Sequence, residues 1–240
     1  VRREPFVAVM CDTPLIDAYG VLRERYAHRI GVLNDKGECV SVISQTRLLQ
    51  FLAPQLTARF RAALVGDYNV LRAGAAGEVV AVSGAVTLFR AFRVLHDLNI
   101  SGVAAVQSTA RTPSGAAAES GAMLASSTNL PHGAGKFIGS VSANALKGVE
   151  SLKLFTTVAD FLADQHERDA AFTPDAVCIK RRDTIGALVD KFVATGTHRI
   201  FIVDDRRHVH GIVTLHAVLD AIWRHYHLDP SEQFEKQIDA

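Results

Sequence analysis

His198-Arg199-Ile200-Phe201-Ile202-Val203-Asp204-Asp205-Arg206-Arg207, continued by His208-Val209-His210-Gly211-Ile212-Val213-Thr214-Leu215, is the stretch on which the fold turns. Four apolar residues, Ile200 to Val203, stop at the polar run Asp204 to Arg207, and a second extended segment, Val209 to Val213, follows it. An apolar run, a polar turn and another run of strand length read as a β-hairpin. Leu215 to Trp223 then switches to helical spacing. Upstream, Ala176-Val177-Cys178-Ile179 is a short strand, and Asp183-Thr184-Ile185 opens a helix. The order from about Asp175 to Trp223 is therefore strand, helix, hairpin, helix.

The same order occurs near the start of the chain. Val7-Ala8-Val9-Met10 is a strand, and Asp12-Thr13-Pro14-Leu15 opens a helix carrying Ala18, Val21 and Leu22. His28-Arg29-Ile30-Gly31-Val32-Leu33, the turn Asn34-Asp35-Lys36-Gly37, the strand Cys39 to Ile43 and a helix from Gln45 complete it. In both copies a His-Arg pair begins the hairpin. A hydroxyl residue, Ser44 or Thr214, stands sixteen positions after the His, where strand gives way to helix.

A middle copy is more degenerate. Its strand is Val79 to Val82, and its helix runs from Val86 to Asp97 with Leu88, Phe89, Phe92 and Leu95 at helical spacing. Ile100 to Val106 and Gly139 to Ser142 form its hairpin, and Ala143 to Val149 starts its last helix. Aligned on the others, Ser101-Gly102 replaces His-Arg and Ser142 is the junction hydroxyl. Residues 107–135 form an insertion rich in Ala, Ser, Gly and Thr, read as a flexible excursion from the hairpin tip. The chain divides into units at 6–56, 79–150 and 173–226, with a linker at 57–78 and an amphipathic linker helix within 151–172. Leu152, Phe155, Val158 and Leu162 define the apolar stripe of that helix, which is expected to pack the last unit onto the middle one.

These features resemble the CBS domain. The quoted elements are the Thr-x-hydrophobic helix start, the apolar strand after His-Arg and the Gly211-Ile212-Val213-Thr214-Leu215 turn. That resemblance implies an α/β (α+β) fold of β-α-β-β-α units packed as Bateman-type pairs. More narrowly, the order of units is similar to the gamma subunit of the SNF1 and AMP-activated protein kinases, a family with four such units. Ile43-Ser44-Gln45-Thr46-Arg47-Leu48-Leu49-Gln50-Phe51-Leu52 resembles its second unit, and the other two copies resemble the third and fourth. The middle and last units can pair, and the first is expected to keep an uncovered apolar face. Together with the absence of an initiator Met, the odd number of units suggests that a further unit precedes Val1.

The resemblance implies a non-catalytic regulatory subunit that assembles with kinase catalytic alpha and scaffold beta subunits. Its regulatory ligand would be AMP, ADP or ATP. Carried over residue by residue, the nucleotide site comprises His28, Arg29, Ser44, Ser142, His198, Arg199 and Thr214, with the His and Arg residues on phosphate. Arg is chemically suited to this, being a planar, permanently charged fork of donors. Ser44 and Thr214 can equally cap the helices that follow them. One departure stands out: the family usually has Asp three residues after the junction hydroxyl, where this chain has Arg47, Ala145 and Ala217. The alternative reading is a CBS module that acts as an interaction scaffold or as a sensor of another ligand.

Composition narrows the remaining classes. The 240 residues are 48% hydrophobic and 21% charged, with 26 basic against 25 acidic side chains, so no global field draws the chain to nucleic acid or an anionic membrane. No run of 18 apolar residues and no signal peptide is present, which with only Cys11, Cys39 and Cys178 suits the cytoplasm or nucleus. Gly133-Ala134-Gly135-Lys136 is not a phosphate loop, because Leu130 stands where the motif needs Gly and Phe137 where it needs Ser or Thr. Neither a nucleophile elbow nor a zinc-ligand set is found, and the histidines between 208 and 227 read as surface groups rather than metal ligands.

Overall fold

The computed structural model describes residues 6–25, 27–67, 79–107, 135–169 and 173–228. Of the proposed insertion, residues 108–134 lie outside this set. So do parts of both linkers and the first two residues of the rejected phosphate loop.

Three sheets of three strands repeat one topology, with a parallel first pair and an antiparallel second pair. In the first unit β1 (Ala8–Met10), α1 (Leu15–Glu24), β2 (Arg29–Leu33), β3 (Cys39–Ser44) and α2 (Gln45–Leu52) follow in order. A short helix, α3 (Ala58–Ala62), leaves this unit. The middle unit contains β4 (Ala81–Ser83), α4 (Leu88–Asp97), β5 (Gly102–Gln107) and β6 (Lys136–Ser142), then α5 (Val158–Arg168). The last contains β7 (Cys178–Ile179), α6 (Ile185–Thr195), β8 (Arg199–Val203), β9 (Val209–Thr214) and α7 (Leu215–Leu228). Helix starts follow local chemistry: the Thr87, Thr157 and Thr184 side chains accept N–H groups of the first turn.

Three local expectations are corrected. Gln107 belongs to β5, paired with Lys136, rather than to the insertion. Residues Ala143–Gly148 form a 3₁₀ helix, where Ser142 makes no side-chain cap, instead of a regular α-helix. The expected linker helix is split: Ser151–Phe155 is a 3₁₀ turn, and α5 starts only after the Thr157 cap. Leu152 and Phe155 are consequently 83% and 71% exposed. Helix α5 buries Val158 and Phe161 in the middle unit's own core, beside Leu88, Leu95 and Val141, and does not splice the two units there.

The last unit is packed on two sides. Its sheet meets the middle sheet through Ala104, Val106, Phe137, Phe201, Val203 and Val209, with the Phe137 and Phe201 rings 5.5 Å apart. Its helices meet the first unit through a larger core that joins Leu48, Leu49 and Phe60 to Leu188, Phe192 and Leu219. The chain leaving the first unit seals this seam. Ile185 N–H donates to Ala63 O, Val65 N–H to Asp183 O and Gly66 N–H to Arg181 O. By contrast, among the described residues no other sheet covers the outer face of the first: Val40 and Val42 are 57% and 55% exposed. Phe6 lies across it, its ring 2.9 Å from where a Cβ on Gly31 would stand.

Candidate functional site

In every unit the antiparallel ladder sets the residue that begins the hairpin opposite the junction hydroxyl: Arg29 pairs with Ser44, Gly102 with Ser142 and Arg199 with Thr214. The carbonyls one residue earlier close the junction, accepting N–H groups from Gln45 (His28 O), Ala143 (Ser101 O) and Leu215 (His198 O). This register makes the sixteen-residue spacing a geometric constraint. The His-Arg pair and the helix start must lie side by side at one end of the sheet.

Packing then brings the ends together. The His28 and His198 rings stand edge to face with centroids 6.1 Å apart. Arg199 reaches across to the middle unit, where its Nη2 donates to Ser101 Oγ. It lies along Gly102, whose missing side chain makes room for it. The cluster therefore draws His28 and Arg29 from the first unit, Ser101 from the middle one and His198 and Arg199 from the last.

The charges in this cluster have one sign. Burial holds the His198 imidazole below its ordinary value, and the neighbouring His28, Arg199 and Arg29 push it further down. Burial likewise disfavours the Arg199 charge. His216, half-buried in the first turn of α7, is also depressed by burial, with Arg23 and His28 acting in the same sense and Asp220 against it. Asp220, whose side chain is 14% exposed, is held by Arg23 Nε at 2.5 Å and Arg224 Nε at 2.7 Å. Arg23 in turn stacks 4.3 Å over the Trp223 ring. Among the described residues no carboxylate is within ion-pair distance of Arg29 or Arg199.

The junction hydroxyls do what helix caps do. Ser44 Oγ accepts the Arg47 N–H at 3.2 Å and Thr214 Oγ1 accepts the Ala217 N–H at 3.2 Å. Each hydroxyl proton is left to donate to something else. Ser142 opens the 3₁₀ turn without capping it. Three members of this neighbourhood escaped the sequence reading: Ser101, Gly102 and His216. The alignment that set Ser101-Gly102 against His-Arg was the one signal that could have found the first two; nothing local marked His216.

Two other places are chemically distinct. A cavity of about 560 Å³ lies at the opposite end of the middle sheet, lined by Ser83, Gly84, Gln107, Ile138, Gly139 and His166 among others. None of the residues proposed from sequence lines it. His208 and His210 converge on Asp204, with Nδ1 and Nε2 at 3.3 and 3.1 Å from Oδ2. They serve a hairpin turn in which Asp204 Oδ1 also accepts the Arg206 and His208 N–H groups. Among the described residues no group of three His, Cys, Asp or Glu is arranged to hold a metal. No helix among them is long and apolar enough to cross a membrane.

Residues 1–54 and 168–224 match the CBS domain family, and the middle segment repeats their strand order and register. The chain is a CBS-domain protein with tandem CBS units. CBS domains commonly bind adenine nucleotides and regulate partners. Among solved structures, this CBS protein shares its fold with a Methanocaldococcus jannaschii protein described as a candidate archaeal homologue of g-AMPK. Identity is 12%, the TM-score is 0.60, and the match covers 90% of this chain and 67% of the other. An uncharacterized conserved protein from Pyrococcus horikoshii matches at 13% identity and TM-score 0.60, over 92% of this chain and 80% of that one. No curated protein matches the chain in sequence.

Proposed function

We propose that this CBS protein is a non-catalytic regulatory and assembly subunit of an SNF1/AMP-activated-type protein kinase, binding an adenine nucleotide at the His-Arg cluster. The observation that carries the reading is the convergence of His28 and Arg29 with His198 and Arg199 from two separate repeats, with no carboxylate beside the two arginines among the described residues. A group of basic side chains, two half-buried (His198, Arg199) and two exposed (His28, Arg29), without a carboxylate beside its arginines suits an anion, and phosphates match the donor forks of arginine. Kinase alpha and beta subunits are the partners this reading names, and the archaeal protein of similar fold points the same way. The site assigned here comprises His28, Arg29, Ser44, Ser142, His198, Arg199 and Thr214.

The exposed Val40 and Val42 on the first sheet favour a second reading, a CBS module that works as an interaction scaffold independent of the kinase. Calorimetric titration with AMP, ADP and ATP, on the wild type and Arg199→Ala, tests the first reading. Binding untouched by the substitution removes Arg199 from the site. Affinity capture from cell extract tests the assembly half: capture without kinase alpha and beta subunits favours the scaffold.

A further inference from the structure

The polar groups around the His-Arg cluster are unbalanced in kind. His28, Arg29, His198, Arg199 and Ser101 offer N–H or O–H donors. The nearby hydroxyl and carboxylate oxygens are already engaged. Ser44 Oγ and Thr214 Oγ1 each take a helix N–H. Three residues past the junctions stand Arg47, Ala145 and Ala217, a cation and two methyl groups, and Ala217 is 2% exposed. The neighbouring carboxylate, Asp220, is one turn further along α7 and is clasped by Arg23 and Arg224.

Phosphate oxygens are acceptors and fit such a site. Ribose hydroxyls are donors as well, and a carboxylate facing both of them is the group that would read them. Resting on the nucleotide reading above, we propose that the cluster recognises its ligand through the polyphosphate chain and leaves the ribose hydroxyls unread. Ligand affinity is then ordered by phosphate charge. A nucleoside triphosphate and an inorganic polyphosphate of the same length compete for one site, and the 2′-hydroxyl is without effect.

Calorimetry on the full chain with ATP, 2′-deoxy-ATP, AMP, adenosine and tripolyphosphate tests this. The expected result is ATP and 2′-deoxy-ATP within about threefold of each other, AMP weaker by about tenfold or more, no heat with adenosine, and displacement of ATP by tripolyphosphate. Arg29→Gln, at an exposed position, weakens ATP and tripolyphosphate by the same factor. Loss of about tenfold or more with 2′-deoxy-ATP, or failure of tripolyphosphate to displace bound ATP, overturns the proposal and leaves the nucleotide reading standing. Tripolyphosphate binding without any nucleotide binding supports the proposal and removes the adenine ligand. No binding by any of the five overturns both.

Discussion

Gly102 of the middle unit makes room for the Arg199 guanidinium of the last: a Cβ at Gly102 would stand 3.0 Å from Arg199 Nη1 and 3.3 Å from Cδ. Contact this close between two units decides where the arginine points. Gly102→Val adds more than one atom there, and the flexible end of Arg199 has to swing away from Ser101. Because the displaced group is a mobile side-chain terminus, the stability loss is small, about 1 kcal/mol or less. Nucleotide affinity falls by about tenfold, since a charge-assisted contact is lost. Thermal denaturation beside calorimetry separates the two effects, and a large drop in Tm with unchanged affinity contradicts this role for Gly102.

Protonation gives a second test. The folded-state value of His198 lies below its ordinary 6.5, owing to burial and then to His28, Arg199 and Arg29. The unfolded chain therefore binds the proton more readily, so the stability associated with neutral His198 is complete above about pH 6.5 and is lost as pH falls below it. His216 acts in the same sense, with Asp220 opposing. Without ligand, Tm is expected to drop between pH 7.5 and 5.5, and His198→Gln flattens that drop. A polyanion in the cluster favours the protonated rings, so ATP binds more tightly at pH 6 than at pH 8. Affinity independent of pH over this range excludes the histidines from contact with the ligand.

The ion pair between Arg23 of the first unit and Asp220 of the last ties two helices across the unit seam. Asp220→Ala leaves Arg23 and Arg224 facing each other without the carboxylate. Asp220 is well buried but both arginines are partly exposed, so the expected loss is about 1–3 kcal/mol rather than the full penalty of a buried charge. Denaturant melts of Arg23→Ala, Asp220→Ala and the double variant measure the coupling, expected at about 1 kcal/mol or more. Strict additivity shows that the clasp does not hold the units together.

Asp204 anchors the last hairpin. Burial raises its pKa, but the hydrogen bond from His210, the backbone N–H groups of His208 and Arg206 and the charge of His208 outweigh that and bring it to about 2. The stability it supplies is present above the ordinary carboxylate value and is lost as pH falls towards 2. Asp204→Ala removes the Oδ1 acceptor of both turn N–H groups and is expected to destabilise by about 1–2 kcal/mol. Asp204→Asn keeps the Oδ1 acceptor and recovers most of it. Equal losses in the two variants indicate that the imidazole pairing matters more than the turn.

The first unit shows which features of this protein are local. The apolar run Ile30 to Leu33, the Asn-Asp-Lys-Gly turn and the switch to helical spacing at Gln45 specify strand, hairpin and helix within one short segment, and the register follows because slipping by one residue would turn Ile30 outward. That register places Arg29 opposite Ser44, and the sequence spacing already contained it. The 3₁₀ geometry after Ser142 and the late start of α5 were harder to read, because apolar spacing carries on through Leu152 and Phe155 and says nothing about where the cap forms.

Sequence by itself thus determined the repeating unit, its strand order and, in the first and last units, the sixteen-residue spacing between the His-Arg start and the junction hydroxyl, all consequences of period, turn chemistry and short-range register. Only the tertiary structure decided that the last unit packs on both neighbours, its sheet on the middle unit and its helices on the first. From that follow the meeting of His28 with His198, the reach of Arg199 past Gly102 to Ser101 and the commitment of Asp220 to Arg23. Apolar faces state that they must be covered, and they do not state by which partner; that choice rests on shape complementarity between surfaces distant in the chain.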